Sequence, residues 1–341
     1  MKTIILNQPG EFQLISREID DKLADNEALI KIHKIGICGT DYHAFRGKQP
    51  FFSYPRVLGH ELGAEVVALG KNVDTEQLVI GDKVSVEPYL NCGTCQACLN
   101  EKPNCCENLK VMGVHTDGGM CEFLKIPAHK LHRSKVLGYE QLALVETLGI
   151  GAHAVQRASV TSNDIVLVIG AGPIGLSVIQ FAKLHQAKIV VMDFNQQRLD
   201  FAKQLFDTDV SVLAKEGFTA DDLKRALNGA LPTVIFDATG NSQSMMKAFS
   251  YLAFGGKLIF VGLFQGDVTF FDPDFHRREM TLFASRNSLP ADFKMIIKNM
   301  EEGNIQTQAW LTHEAPFEEL PNVFESWLDP SSRVIKAMLS V

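Results

Sequence analysis

Four cysteines stand at Cys92, Cys95, Cys98 and Cys106, a C-x2-C-x2-C-x7-C spacing that gathers four thiols in one short loop. Four thiolates close a tetrahedral shell around Zn²⁺ and leave no open position, so the chemistry expected of this loop is structural. An iron–sulfur motif begins with the same spacing, but its fourth cysteine follows after three residues and precedes proline; here it follows after seven. Cys105 adjoins Cys106; Cys106 is the expected ligand and Cys105 a spare buried thiol. A second, dispersed set joins Cys38, in Gly36-Ile37-Cys38-Gly39-Thr40-Asp41, to Gly59-His60-Glu61 and to Glu146. Thiolate, imidazole and carboxylate together suit an open, catalytic zinc site, with Glu61 and Glu146 competing for one place. Asp41 is expected to hold His60 through its second ring nitrogen. Taken singly, each residue has a plainer reading: Cys38 in the core, His60-Glu61 on the surface, Glu146 at a helix start.

The third cluster is Gly170-Ala171-Gly172-Pro173-Ile174-Gly175, a G-x-G-x-x-G run. Its context sharpens it: the apolar Ile165–Ile169 precedes it, a helical stretch follows, and Asp193 ends the next apolar run. The first glycine permits a tight turn, the second lets a pyrophosphate approach the backbone, and the third lets helix and strand pack closely. Asp193 would accept hydrogen bonds from adenosine ribose hydroxyls and repel a 2′-phosphate, which selects NAD over NADP. Pro173 and Ile174 belong to the same loop, and Arg198 joins the expected cofactor site.

Those residues need two kinds of scaffold. Up to about Gly149 the pattern is short strands and Gly/Pro turns, with strands over 28–32, 64–69 and 83–86, which predicts an irregular β-rich domain. From about Ile150 the predicted strands 165–169, 189–192, 234–236, 258–261 and 281–283 alternate with helices over 174–185 and 196–205. That alternation indicates an α/β domain with a parallel sheet covered on both faces. Beyond about Ser285 a helix over 293–300 and an apolar last strand over 334–341 are expected to rejoin the first domain.

The chain of 341 residues is 46% apolar and 21% charged, which suits two domains. A formal charge of −7 argues against a nucleic-acid surface, which ordinarily carries a basic face. The opening apolar run Thr3–Leu6 is too short for a secretory signal. All seven cysteines fall between Cys38 and Cys121, a distribution expected of a reduced, cytoplasmic metal protein rather than a disulfide framework. No membrane partner is expected.

Gly59-His60-Glu61 with Gly63 and Val66, the four-cysteine loop and Gly170–Gly175 together resemble the zinc-containing medium-chain alcohol dehydrogenases over essentially the whole chain. Glu146, where classical members carry a cysteine-type ligand, makes the chain similar to the sorbitol/threonine dehydrogenase branch. Phe51–Arg56, Gly113–Gly119, Asp272–His276 and Ser285–Asn287 resemble the sugar-acid members of that branch that act on L-galactonate. The resemblance implies a GroES-like catalytic zinc domain over 1–148 and 286–341, and a Rossmann NAD-binding domain over 149–285. It implies two zinc ions per chain, NAD as cofactor and a homodimer or homotetramer. It also gives Thr40 and His43 as a proton relay and His115, Arg286 and Asn287 as substrate contacts, the Arg286 fork matching a carboxylate. The expected reaction is hydride transfer from a secondary alcohol of a sugar acid to NAD. The rivals are a neutral polyol or amino-alcohol dehydrogenase (sorbitol, threonine or butanediol type) and a non-catalytic nucleotide-binding protein on the same fold.

Overall fold

The computed structural model describes residues 1–19, 21–49 and 52–341. Asp20, Pro50 and Phe51 lie outside the described residues, Phe51 being the first residue of the Phe51–Arg56 segment noted above. The chain opens on a two-stranded ribbon, β1 (Lys2–Gln8) and β2 (Glu11–Ser16). The alternating segment around Ala28 becomes β3 (Glu27–Ile37), which delivers Cys38 to the N-cap of α1 (Gly39–Phe45). β4 (Glu61–Leu69), β5 (Lys83–Val86) and the two-residue β6 (Tyr89–Leu90) follow. The thiol loop, with its single turn α2 (Gln96–Leu99), then returns to β7 (Lys110–Val111), which pairs antiparallel with β6. After β8 (Phe123–Pro127) and β9 (Leu131–Ser134) comes the twenty-residue helix α3 (Tyr139–Ala158).

The texture then changes as the sequence predicts. β10 (Ile165–Ile169), α4 (Pro173–Leu184), β11 (Lys188–Asp193), α5 (Gln196–Phe206), β12 (Val210–Leu213) and α6 (Ala220–Ala226) are the first three strand–helix pairs. β13 (Val234–Asp237), α7 (Ser242–Tyr251), β14 (Lys257–Phe260), α8 (Asp272–Arg277) and β15 (Thr281–Ala284) complete them. The six strands form one parallel sheet in the order β12-β11-β10-β13-β14-β15. The order reverses between β10 and β13, so the carboxyl ends of those strands flank the crevice in which such sheets bind ligands. The apolar stretch Ile165–Ala182 is thereby divided among β10, the glycine turn and α4. Among the described residues no helix is long and apolar enough to cross a membrane.

The tail supplies α9 (Pro290–Glu301), β16 (Leu311–Pro316), the short α10 (Leu320–Val323) and β17 (Lys336–Ser340). α9 starts earlier than the apolar pattern suggests, because Pro290 fits the first turn and the Asp292 carboxylate accepts the Leu289 amide at 2.7 Å. β17 pairs antiparallel with β3 and parallel with β16 in a seven-stranded sheet whose other members include β4, β5, β8 and β9. The tail therefore shares the core of the N-terminal strands, where Ile30, Ile35 and Leu62 are buried with Phe317, Phe324 and Leu339. Two compact units result: Met1–Thr147 with Leu289–Val341, and Leu148–Ser288. Arg286 and Asn287 thus fall in the second unit. Its own core joins Leu167, Val190, Ile235 and Leu258 from four neighbouring strands.

Candidate functional site

In the first unit the thiols of Cys92, Cys95, Cys98 and Cys106 lie within 4.8 Å of one another. Backbone amides point into this group: Cys92 Sγ accepts from Thr94 N at 3.5 Å and Cys95 N at 3.3 Å, and Cys106 Sγ accepts from Cys92 N at 3.3 Å. The Thr94 amide and hydroxyl, the Cys95 amide and the Cys106 thiol bring the Cys92 thiol down to about 5. At Cys106 the Cys92 amide favours the thiolate, but burial and the thiols of Cys92 and Cys98 outweigh it and raise the group to about 11. Four soft donors that cannot all ionise side by side fit a thiophilic cation. The neighbour Cys105 is exposed, not buried as the sequence suggested, while Cys106 faces inward; the tight turn over Pro103–Cys105 separates them.

The second set is assembled from distant parts of the same unit. Cys38 stands at the N-cap of α1. His60 and Glu61, at the start of β4, are 4% and 0% exposed, which removes their reading as surface residues. Ligand atoms of Cys38, His60 and Glu61 lie within 4.8 Å of one another. Glu146 stands outside that group but acts electrostatically on His60. It sits in the middle of α3, buried, so it is no helix-start carboxylate.

Burial alone would discourage a charge on His60, yet the Cys38 thiolate and the carboxylates of Asp41 and Glu146 outweigh it and raise its pKa well above the ordinary value. An imidazole ringed by anions is where a cation belongs, and thiolate, imidazole and carboxylate are the donors of an open zinc site. Asp41 does not clasp His60 directly as expected: Oδ1 is 4.0 Å from Nδ1, and both atoms are buried without a hydrogen-bond partner. Its other oxygen accepts the Cys38 amide at 2.9 Å, which ties Asp41 to the α1 cap instead.

Several supports went unread in the sequence. Lys336, 2% exposed at the start of β17, lies 2.5 Å from both carboxylate oxygens of Glu61. With His60 it holds the Glu61 carboxyl below its ordinary value against the effect of burial. Its signal was a lone charge in an otherwise apolar last strand. The Tyr89 hydroxyl donates to Glu146 Oε1 at 2.5 Å; burial nonetheless dominates at Glu146 and raises its pKa. Gly59, with φ +91°, turns the chain into His60, and a Cβ on Gly118 would overlap its carbonyl. The hydrogen bonds Gly118 N to Val57 O and Gly119 N to Gly59 O, at 2.7 and 2.8 Å, lay one backbone on the other. The Gly113–Gly119 motif is thus a platform for the histidine. Beneath the thiol loop, buried Lys130 reaches Glu87 at 2.5 Å and Asn91 at 2.9 Å, while His132 meets the second Glu87 oxygen at 3.1 Å.

In the second unit the glycine loop runs from β10 into α4. Gly170 takes φ +96°, and a Cβ on Gly175 would overlap the Gly170 carbonyl, so the turn and the close helix–strand approach both demand glycine. A Cβ on Gly172 would meet only Arg198 Nη1, at 3.8 Å, which leaves open space over the helix N-terminus, the cradle a phosphate fills. Asp193 ends β11 and is 4% exposed. One of its oxygens accepts Ala171 N at 2.7 Å and the other Asn195 N at 2.8 Å, so the carboxylate is fixed by the loop it serves.

The remaining expected residues are scattered. Thr40 is half-buried in the first turn of α1, and His43 is exposed in its last turn. His115 is exposed, its Nδ1 accepting the Val111 amide at 3.0 Å. In the second unit Arg286 is exposed, and Asn287 takes φ +54° with a buried Nδ2 that lacks a hydrogen-bond partner.

Residues 24–157 match the alcohol dehydrogenase GroES-like domain, and residues 173–302 match the zinc-binding dehydrogenase family. L-galactonate-5-dehydrogenase of Escherichia coli (strain K12) is 42% identical over 340 residues, covering 100% of this chain and 99% of that protein. The structure of the alcohol dehydrogenase RspB from E. coli CFT073, complexed with NADH, superposes with a TM-score of 0.92 at 29% identity, covering 100% and 99% of the two chains. Galactitol-1-phosphate dehydrogenase from E. coli does so with a TM-score of 0.92 at 25% identity and full coverage of both. The fold is that of these dehydrogenases, a β-rich GroES-like domain and a Rossmann-like domain.

Proposed function

Because the chain belongs to the zinc-binding alcohol dehydrogenase family, we propose that it oxidises a secondary alcohol of a sugar acid, L-galactonate, with NAD as hydride acceptor. The observation that carries the reaction type is the group of half-buried Cys38 with buried His60 and Glu61, three unlike donors within 4.8 Å of one another; a zinc held by three protein ligands would keep a fourth position for substrate. When bound, zinc supplies a Lewis acid to the substrate hydroxyl, and NAD supplies the hydride acceptor. Cys38 and His60 hold the metal, and Glu61 and Glu146 are the two carboxylates able to complete its shell. Thr40 and His43 carry the hydroxyl proton to water, a task suited to an exposed imidazole. Cys92, Cys95, Cys98 and Cys106 hold a second, structural zinc.

Gly170, Gly172, Pro173, Ile174 and Gly175 cradle the dinucleotide, with Asp193 and Arg198 at the adenosine end. The choice of L-galactonate is supported by the whole-chain likeness to the E. coli enzyme. Arg286, with Asn287 and His115, is assigned to the substrate, its guanidinium matching the carboxylate. We place the protein in the cytoplasm, where the thiols it needs stay reduced. It assembles as a homodimer or homotetramer; the open outer edge of β15 is a surface that a second copy would cover.

The test is NADH formation on a panel of L-galactonate, other aldonates, sorbitol and threonine, with and without a chelator. Chelator-sensitive turnover of L-galactonate above all others is the expected result. A preference for sorbitol or threonine would overturn the substrate and keep the metal reading. Silence on every alcohol would overturn the reaction.

A further inference from the structure

Resting on the reading that Cys38 and His60 hold a catalytic metal, we propose that Tyr89 is a positioning residue that sets Glu146 for that metal. Tyr89 is 3% exposed, and its hydroxyl donates to Glu146 Oε1 at 2.5 Å. A carboxylate with one oxygen held by a phenol can coordinate only in the orientation the phenol allows, and such outer partners fix the angle at which a ligand meets its metal. The phenol is neutral, so it orients Glu146 without cancelling its charge. Glu61 is treated differently: the Lys336 ammonium lies 2.5 Å from both of its oxygens and offsets the charge a metal would seek. The two carboxylates are therefore unequal donors, Glu61 neutralised by a cation and Glu146 aimed by a hydroxyl.

The segment that carries Tyr89 explains how the phenol is held. Glu87 and Asn91, two residues to either side of Tyr89, both meet buried Lys130, so the backbone on both sides of the phenol is tied down while Tyr89 itself reaches Glu146. Asn91 donates in turn to Cys98 Sγ at 3.6 Å, and Tyr89 pairs with Val111 on the far side of the thiol loop. A two-residue ribbon does not persist on its own. It is closed by the thiol loop at one end and anchored by the buried Lys130 beneath.

The test compares the wild-type holoenzyme with Tyr89→Phe, which keeps the ring and removes only the hydroxyl. Zinc content and the rate of zinc release to a chelator are measured alongside kcat and KM. Two release phases are expected in the wild type. In Tyr89→Phe the phase belonging to the Cys38–His60 site is expected to quicken, and kcat to fall, each by about tenfold, as loss of an outer partner typically brings. The thiol-loop phase and the KM for NAD stay unchanged. On a Glu146→Gln background the same substitution is expected to add nothing, because its effect passes through Glu146. Wild-type release and kcat in Tyr89→Phe, or a full additional loss on Glu146→Gln, would overturn this role alone. A wild-type chain with one zinc, lost only when loop cysteines are replaced, would overturn the metal reading and this role with it.

Discussion

The thiol loop draws its four donors from residues 92–106, whereas the second set reaches from Cys38 to Glu146 and leans on Lys336 in the last strand. The loop carries little regular structure of its own, a single helical turn and a tight turn between β6 and β7. Its donors are neighbours in sequence, so a metal can gather them before much else is formed, and binding energy becomes folding energy. The second set exists only after β3, β4, α3 and β17 have met, and it buries His60, Glu61, Glu146, Asp41 and Lys336 together. Here the fold makes the site, and the anions around His60 are held close by the surrounding core rather than by the metal. On the proposed reading, zinc and thiolate would serve opposite directions of causation in one unit.

That contrast breaks most visibly at His60. His60→Ala is expected to lower kcat/KM by roughly a thousandfold, equivalent to about 4 kcal/mol of lost transition-state stabilisation. One zinc per chain is lost, and the melting temperature hardly moves; retention of both metals, or a collapse of the fold, would contradict the proposed order of events. Cys106→Ser attacks the other site. Loss of the loop metal is expected to remove about 4 kcal/mol and lower the melting temperature by roughly 10 °C. The folded fraction keeps its metal at Cys38 and His60; if that metal left first, the loop would not be the independent element described.

A smaller effect sharpens the picture beneath the loop. Burial raises the Glu87 carboxyl, but His132 and Lys130 outweigh it and hold the group below its ordinary value. A depressed carboxyl stabilises the fold above its unfolded pKa of about 4.3, and the contribution is lost as pH falls through the lower folded value. Glu87→Gln should therefore flatten the wild-type loss of stability below about pH 4.3. It also leaves the Lys130 ammonium buried without its counter-ion, with the Asn91 oxygen still at 2.9 Å, which costs about 3 kcal/mol at neutral pH. Urea midpoints of both proteins across pH 3–7 check this, and parallel curves would remove Glu87 from the account.

Local spacing made much of this legible. The thiol loop, the glycine turn and Asp193 lie within short stretches whose order is their geometry, and runs such as Ile165–Ile169 announce buried parallel strands. What escaped lay in pairings across long separations. Nothing near Lys336 in sequence points to Glu61, 275 residues away, and nothing around Tyr89 points to Glu146. The Asp41–His60 pairing was expected from what a metal-bound imidazole requires; the α1 cap ties one Asp41 oxygen, and the other stops 4.0 Å from His60 Nδ1. Cys105 was misjudged because its packing depends on a turn at Pro103 that the cysteine spacing does not encode.

Asp193 carries one further consequence, for anyone who would re-engineer the coenzyme. Both of its oxygens are already tied to main-chain amides, one in the glycine turn at Ala171 and one at the entrance to α5 at Asn195. The residue that would exclude a 2′-phosphate is also the staple between two loops. Exchanging it for a neutral side chain would admit the phosphate and slacken the turn in the same stroke. A redesign toward NADP on this scaffold has to restore those two amide bonds elsewhere before any gain in preference can appear.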